Sequence, residues 1–152
     1  MTSEGGTPYL VLRLGSELAA LPLAHVRETL RPLRLEPLAG APDFVMGVAV
    51  IRGAPVPVVD LARLVLSAER EAERLVIVEL GERRVALAVE GVVGVRSLTA
   101  IERAPLPPLF TKGDRNAVES LGLLDSALLL VLETGRLMPA ELATTSGEEA
   151  SW

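Results

Sequence analysis

The sequence predicts an all-β protein built as two small β-barrels packed together, and three observations carry that expectation. Short apolar runs rich in Val, Leu and Ile recur along the chain between Gly- and Pro-containing turns, the pattern of barrel or sandwich strands. The order hairpin, irregular crossing segment, hairpin, short helix occurs twice, over roughly residues 9–66 and 74–138. The two copies also match in register. Sliding residues 10–26 by 66 positions onto 76–92 lays Leu14-Gly15 on Leu80-Gly81, Ala20-Leu21 on Ala86-Leu87 and Val26 on Val92. At the ends of the halves, Asp60 and Arg63 in PVVDLARL correspond to Glu133 and Arg136 in LVLETGRL.

Taken in order, residues 1–8 are rich in Gly, Ser and Thr and are expected to be disordered. YLVLRL, from Tyr9 to Leu14, is a strand, GSE a turn and LAALPL the returning strand. AHVRETL fits either a short helical turn or an irregular strand. RPLRLEPLAGAP holds three prolines in twelve residues, so it is extended with bends. Two apolar strands then flank Arg52-Gly53 at a hairpin turn. Pro55 and Pro57 in the second of them imply an edge position, because proline has no N–H to give a neighbour. DLARLVL reads as a short helix with Asp60 as its N-cap, and SAEREAER as a charged linker. LVIVEL and RRVALAV form a hairpin around a glycine turn. The glycines in GVVGVRSL imply bulges or close backbone approach. A long proline-containing connection leads to a last hairpin, SLGLL and ALLLVL, then to a short terminal helix in ETGRLMPAEL; residues 139–152 form a polar tail expected to be disordered.

Composition narrows the function. The chain has 152 residues, 49% hydrophobic and only 3% aromatic, so its cores must be aliphatic. A net charge of -5 argues against nucleic acid, whose phosphates need Lys and Arg, and against a broad anionic membrane surface. No apolar run approaches the ~20 residues of a membrane helix, and no basic segment followed by an apolar one opens the chain. With no cysteines, disulfide and thiolate chemistry are excluded and a reducing cytoplasm suits the chain. No phosphate-binding loop or GxSxG elbow is present. His25 is the sole histidine, so it has no His or Cys partner for a zinc site, and its expected place is the surface or a rim. Glu69, Glu71, Glu73, Glu82 and Asp114 fall in linkers and turns, where solvated carboxylates are the default. Neither a catalytic group, a metal nor a cofactor is expected.

Arg52 stands apart. Long cationic side chains are almost never fully buried without a partner, yet this one interrupts an apolar run. An idle turn arginine and a partner-facing anchor both fit; the second gains from arginine's planar fork and its enrichment at interface hot spots. Arg27 and Glu28, in HVRETL, read as a solvated face. A mean hydropathy of +0.40 in two small barrels leaves surplus apolar surface, which marks partner contacts.

Five stretches in this order, YLVLRLGSE, HVRETL, PDFVMGVAVIRGAPVPVVDL, LVIVELGERRVALAVEGVVGV and SLGLLDSALLLVLETGRL, resemble the CheW-like domain of bacterial chemotaxis systems over about residues 9–138. The most specific is GVAVIRGAPVPVVDL, which is similar to the family's Gly-Val-x-x-x-Arg-Gly-x-x-x-Pro-Val-x-Asp-Leu signature. The resemblance implies two five-stranded SH3-like barrels with short connecting and C-terminal helices and a groove between the barrels. It also implies a non-catalytic adaptor in the cytoplasm at receptor arrays, coupling the tip of a methyl-accepting chemoreceptor to the regulatory domain of a CheA-type histidine kinase. By matching motif the resemblance implies that Val26, Glu28, Arg52, Val92 and Val95 face the receptor; it also implies the kinase at the barrel ends, with contacts expected near Gly53 and around Arg103 and Leu106. Three departures stand out. Val50 replaces the usual asparagine, Ser120 opens a stretch that is usually Gly-Leu-Gly, and Ala20 and Ala86 stand where glycine is frequent. These leave open a diverged module that binds a single regulator in a non-motility pathway.

Overall fold

The computed structural model describes residues 6–66, 71–98, 103–105, 117–124 and 127–138. The chain is all-β, with eleven strands and one short helix among these residues. The first half supplies β1 (Thr7–Leu14), β2 (Glu17–Pro22), β3 (Val26–Leu30), β4 (Val45–Ile51), β5 (Ala54–Asp60) and helix α1 (Leu61–Leu66). The second supplies β6 (Arg74–Leu80), β7 (Arg83–Val89), β8 (Gly91–Leu98), the three-residue β9 (Arg103–Pro105), β10 (Val118–Leu124) and β11 (Ala127–Leu132). Two sheets result, ordered β8-β1-β2-β11-β10-β9 and β3-β6-β7-β5-β4. The first is thus a five-strand sheet extended by the short β9.

The repeat is real, but its copies are exchanged. Hairpins β1–β2 and β6–β7 each stay intact because their turns are short. The strand that follows each hairpin then pairs with the other hairpin: β3 runs antiparallel to β6, and β8 antiparallel to β1. Parallel pairs complete the exchange, β5 on β7 (Val59 opposite Leu87) and β11 on β2 (Leu130 opposite Ala19). The expected division at 9–66 and 74–138 is therefore corrected. One sheet is the continuous stretch from β3 to β7, and the other joins β1 and β2 to β8–β11.

Alternation of side chains explains why these strands read as unbroken apolar runs. Along β7, Val85, Leu87 and Val89 face one core and Ala86 and Ala88 another. Along β11, Leu130 and Leu132 join that same first core, while Leu129 and Val131 turn to a third with Val11 and Ala20. Each sheet thus encloses its own small core on one face and packs on the shared layer with the other. Burial on both faces removes the polar half of the usual alternation. The shared layer also holds Leu10, Leu12, Leu21, Val76 and Val78, and each fully buried side chain of this size contributes roughly 1.5–3 kcal/mol.

Several local expectations change. β1 begins at Thr7, inside the segment expected to be disordered. β5 is an interior strand, not an edge, although its pairing with β7 starts only at Val58; Pro55 and Pro57 lie before that point, where no β7 register partner needs an N–H. AHVRETL is both of its alternatives, a 3-10 turn over Leu23–His25 followed by β3. The terminal helix is a 3-10 turn, Thr134–Leu137, and the expected tail, 139–152, lies outside the described residues. Asp60 caps α1 as expected, its Oδ1 accepting from the Arg63 N–H at 3.2 Å.

Candidate functional site

Two local features place the site. The first is the turn of hairpin β4–β5, whose last register pair is Ile51 and Ala54, leaving Arg52-Gly53 as the loop. Both residues have positive φ, 54° and 79°. A two-residue loop of this kind matches the right-handed twist of its strands, and glycine or asparagine fills it at least cost. Gly53 fits that requirement. Arg52 is the one non-glycine residue with positive φ among those described, so its backbone is held where an L side chain is disfavoured.

The second feature is an irregularity in β3. Val26 pairs with Val78 and Glu28 with Ile77, which makes Arg27 an extra residue on the β3 side. Such a bulge bends its strand and re-aims the side chains beside it.

Glu28 then meets the hairpin turn. Arg52 Nε donates to Glu28 Oε2 at 3.0 Å and Nη2 to Oε1 at 2.6 Å, occupying both carboxylate oxygens. This two-bonded fork is the strong arrangement of an arginine–carboxylate pair. It holds the Glu28 carboxyl below its ordinary value, first through the hydrogen bond from Arg52. Desolvation opposes the shift, while the charges of Arg52, Arg27 and Arg84 add to it. The same hydrogen bond, with the charge of Glu28, raises the Arg52 guanidinium against a small desolvation. Ala24, Val26, Arg27, Glu28 and Arg52 line a shallow open depression.

Beside it lies a further set of charges. Glu79 Oε2 accepts from Arg84 Nε at 2.8 Å and from Arg84 Nη2, and Glu79 Oε1 lies 3.6 Å from Arg27 Nε.

Of the positions carried over for the receptor, Val26, Glu28 and Arg52 come together around this depression. Val92 and Val95 lie on β8 of the other sheet, both exposed. Of the kinase positions, Gly53 shares the turn with Arg52 and faces open space. Arg103 sits on β9 opposite Gly122, and Leu106 is outside the described residues. One expectation is corrected: Glu28 is no idle solvated side chain, because both its carboxylate oxygens accept from Arg52. His25 is also more than a rim residue. It is partly covered, and its Nδ1 lies 2.7 Å from Oγ1 of the buried Thr134, joining the first half to the terminal turn.

Sequence reasoning missed Glu79 and Arg84, although they are legible. With Gly81-Glu82 as the loop they fall directly opposite each other in the β6–β7 register, where opposite charges attract. Among the described residues no group of three or more His, Cys, Asp or Glu is placed to hold a metal ion.

Comparison with known proteins places the chain by family and by fold. The CheW-like domain model matches residues 8–142. The chemotaxis protein CheW of Klebsiella aerogenes is 29% identical over 90% of this chain and 84% of its own length. Protein FrzA of Myxococcus xanthus is 31% identical over 78% of this chain and 74% of its own. The crystal structure of the scaffolding protein TtCheW from Thermoanaerobacter tengcongensis superposes with a TM-score of 0.74 at 25% identity, covering 84% of this chain and 89% of that one.

Proposed function

The chain belongs to the CheW-like domain family, whose members include a chemotaxis protein and a scaffolding protein, and we propose that it is a non-catalytic adaptor that couples receptors to a CheA-type kinase. It binds the cytoplasmic tip of a methyl-accepting chemoreceptor on one surface and the regulatory domain of the kinase on another. Val26, Glu28 and Arg52, with Val92 and Val95 on the neighbouring sheet, form the receptor surface. Gly53, Arg103 and Leu106 belong to the kinase surface. The adaptor works in the cytoplasm, at receptor arrays. No helix among the described residues is long and apolar enough to cross a membrane.

A single observation carries the receptor site. Arg52 keeps a backbone conformation that asparagine or glycine would adopt more readily, and its side chain is committed to a two-bonded contact with Glu28 outside every core. Backbone strain of this kind clusters at functional sites.

The test is a three-component binding experiment, since bridging requires both surfaces to be free at once. Size-exclusion chromatography with a receptor cytoplasmic fragment and the kinase regulatory domain should give a ternary complex. With Arg52→Glu, the kinase should remain and the receptor should leave. Mutually exclusive binding of the two partners would contradict the adaptor reading.

A further inference from the structure

The charges around the depression are unevenly exposed. Glu28 and Glu79 have side chains only 25% and 24% accessible, and their oxygens are engaged by arginines of the same patch. Arg52 and Arg27, by contrast, are 69% and 62% accessible. Three guanidinium groups, Arg27, Arg52 and Arg84, meet two carboxylates here, in a chain whose overall charge is -5. The carboxylates act as holders beneath, and the outward face is cationic. The contact between Arg27 and Glu79, at 3.6 Å, is also looser than the Arg52–Glu28 fork, which leaves the Arg27 guanidinium free to turn outward.

We propose, resting on the adaptor reading above, that Arg27 is a second partner-contact residue, and that Arg27 and Arg52 together dock onto carboxylate side chains of an acidic segment of the receptor. The bulge in β3 is what makes this possible, because it places an additional side chain between Val26 and Glu28 on the rim of the same depression. Charge complementarity selects the occupant. A basic segment would meet two exposed guanidiniums, and a purely apolar one would strip water from them without return.

The experiment measures the affinity of a purified chemoreceptor cytoplasmic fragment from the same genome for the wild type, Arg27→Gln, Arg27→Glu, Arg27→Lys and Arg52→Glu. Titrations run at low salt and at about 0.5 M, where the Debye length falls well below 10 Å. Thermal melts of each variant serve as the folding control. Arg27→Gln should weaken binding on the order of tenfold, Arg27→Glu more, and Arg27→Lys least, with the differences shrinking at high salt. Reversing a receptor carboxylate to lysine should restore binding to Arg27→Glu. If Arg27→Glu binds like wild type while Arg52→Glu does not, the role of Arg27 is refuted and the adaptor reading stands. If the wild type binds no receptor fragment, both fall.

Discussion

Hairpins β4–β5 and β10–β11 hold equivalent places in the repeat, and they part company at their turns. Laying Asp60 on Glu133 places Val50 and Pro55 on Leu123 and Leu128. Each of these pairs is in cross-strand register, and Val50 and Leu123 are strongly exposed at 69% and 61%. The strand ends also match. The N–H of Asp60 donates to the Phe44 carbonyl at 2.8 Å, and that of Glu133 to the equivalent Ala117 carbonyl at 3.0 Å. Yet Arg52-Gly53 corresponds to Asp125-Ser126, and Glu28 corresponds to Gly94 on β8. The second half therefore holds neither member of the ion pair. What both copies share builds the fold, and what only one possesses is free to serve a partner.

The largest expected effect tests the shared part. Leu21 and Leu87 are equivalent and both fully buried in the layer between the sheets. Truncating either to alanine should cost about 2–5 kcal/mol by chemical denaturation, and the two costs should agree within about 1 kcal/mol if the halves are equivalent. A large inequality would break the symmetry on which the comparison rests.

Next comes binding. Arg52→Glu should weaken receptor binding roughly thirtyfold, as expected for a lost hot spot, and Leu123→Ser in the other hairpin should leave it unchanged. Equal losses from both would show that the receptor does not distinguish the hairpins.

Acid should sharpen the contrast further. Glu28 has a lowered value in the folded chain, so its pair is fully formed above the ordinary carboxylate value of 4.5 and is lost as pH falls through the lower folded value. Carboxyl NMR should place the Glu28 midpoint below 4.5, moving up in Arg52→Ala; a wild-type midpoint at or above 4.5 would contradict the pair.

The smallest effect concerns the strand ends. Asp60→Ala removes the N-cap of α1 and should cost about 1 kcal/mol. Glu133→Ala removes no side-chain cap and only an exposed ion pair with Arg136, so its cost should stay below about 0.5 kcal/mol. Matching losses in the two would mean that the terminal turn is capped as α1 is.

Much of this was legible in the sequence because it is encoded locally. Strands, hairpin turns, the Asp60 cap and the conspicuous Arg52 all follow from neighbouring residues. The repeat was visible too, but not the exchange between its copies. A sequence shows that β3 follows β2, whereas pairing β3 with β6 depends on which apolar faces meet across the shared layer. The same limit hid the partner of Arg52. Glu28 lies 24 residues away, on a strand whose register is shifted by a bulge at Arg27. The prolines of β5 misled for a related reason, since a strand can be interior over one half of its length and unpaired on one side over the other.

The most direct test of the central claim is to measure stability and receptor affinity together for Arg52→Asn. Asn-Gly is the favoured filling of this turn, so the substitution removes the backbone strain together with the Glu28 contact. The melting temperature should hold or rise, and receptor binding should weaken roughly thirtyfold. A lowered melting temperature with binding intact would show that Arg52 serves the fold and not the partner.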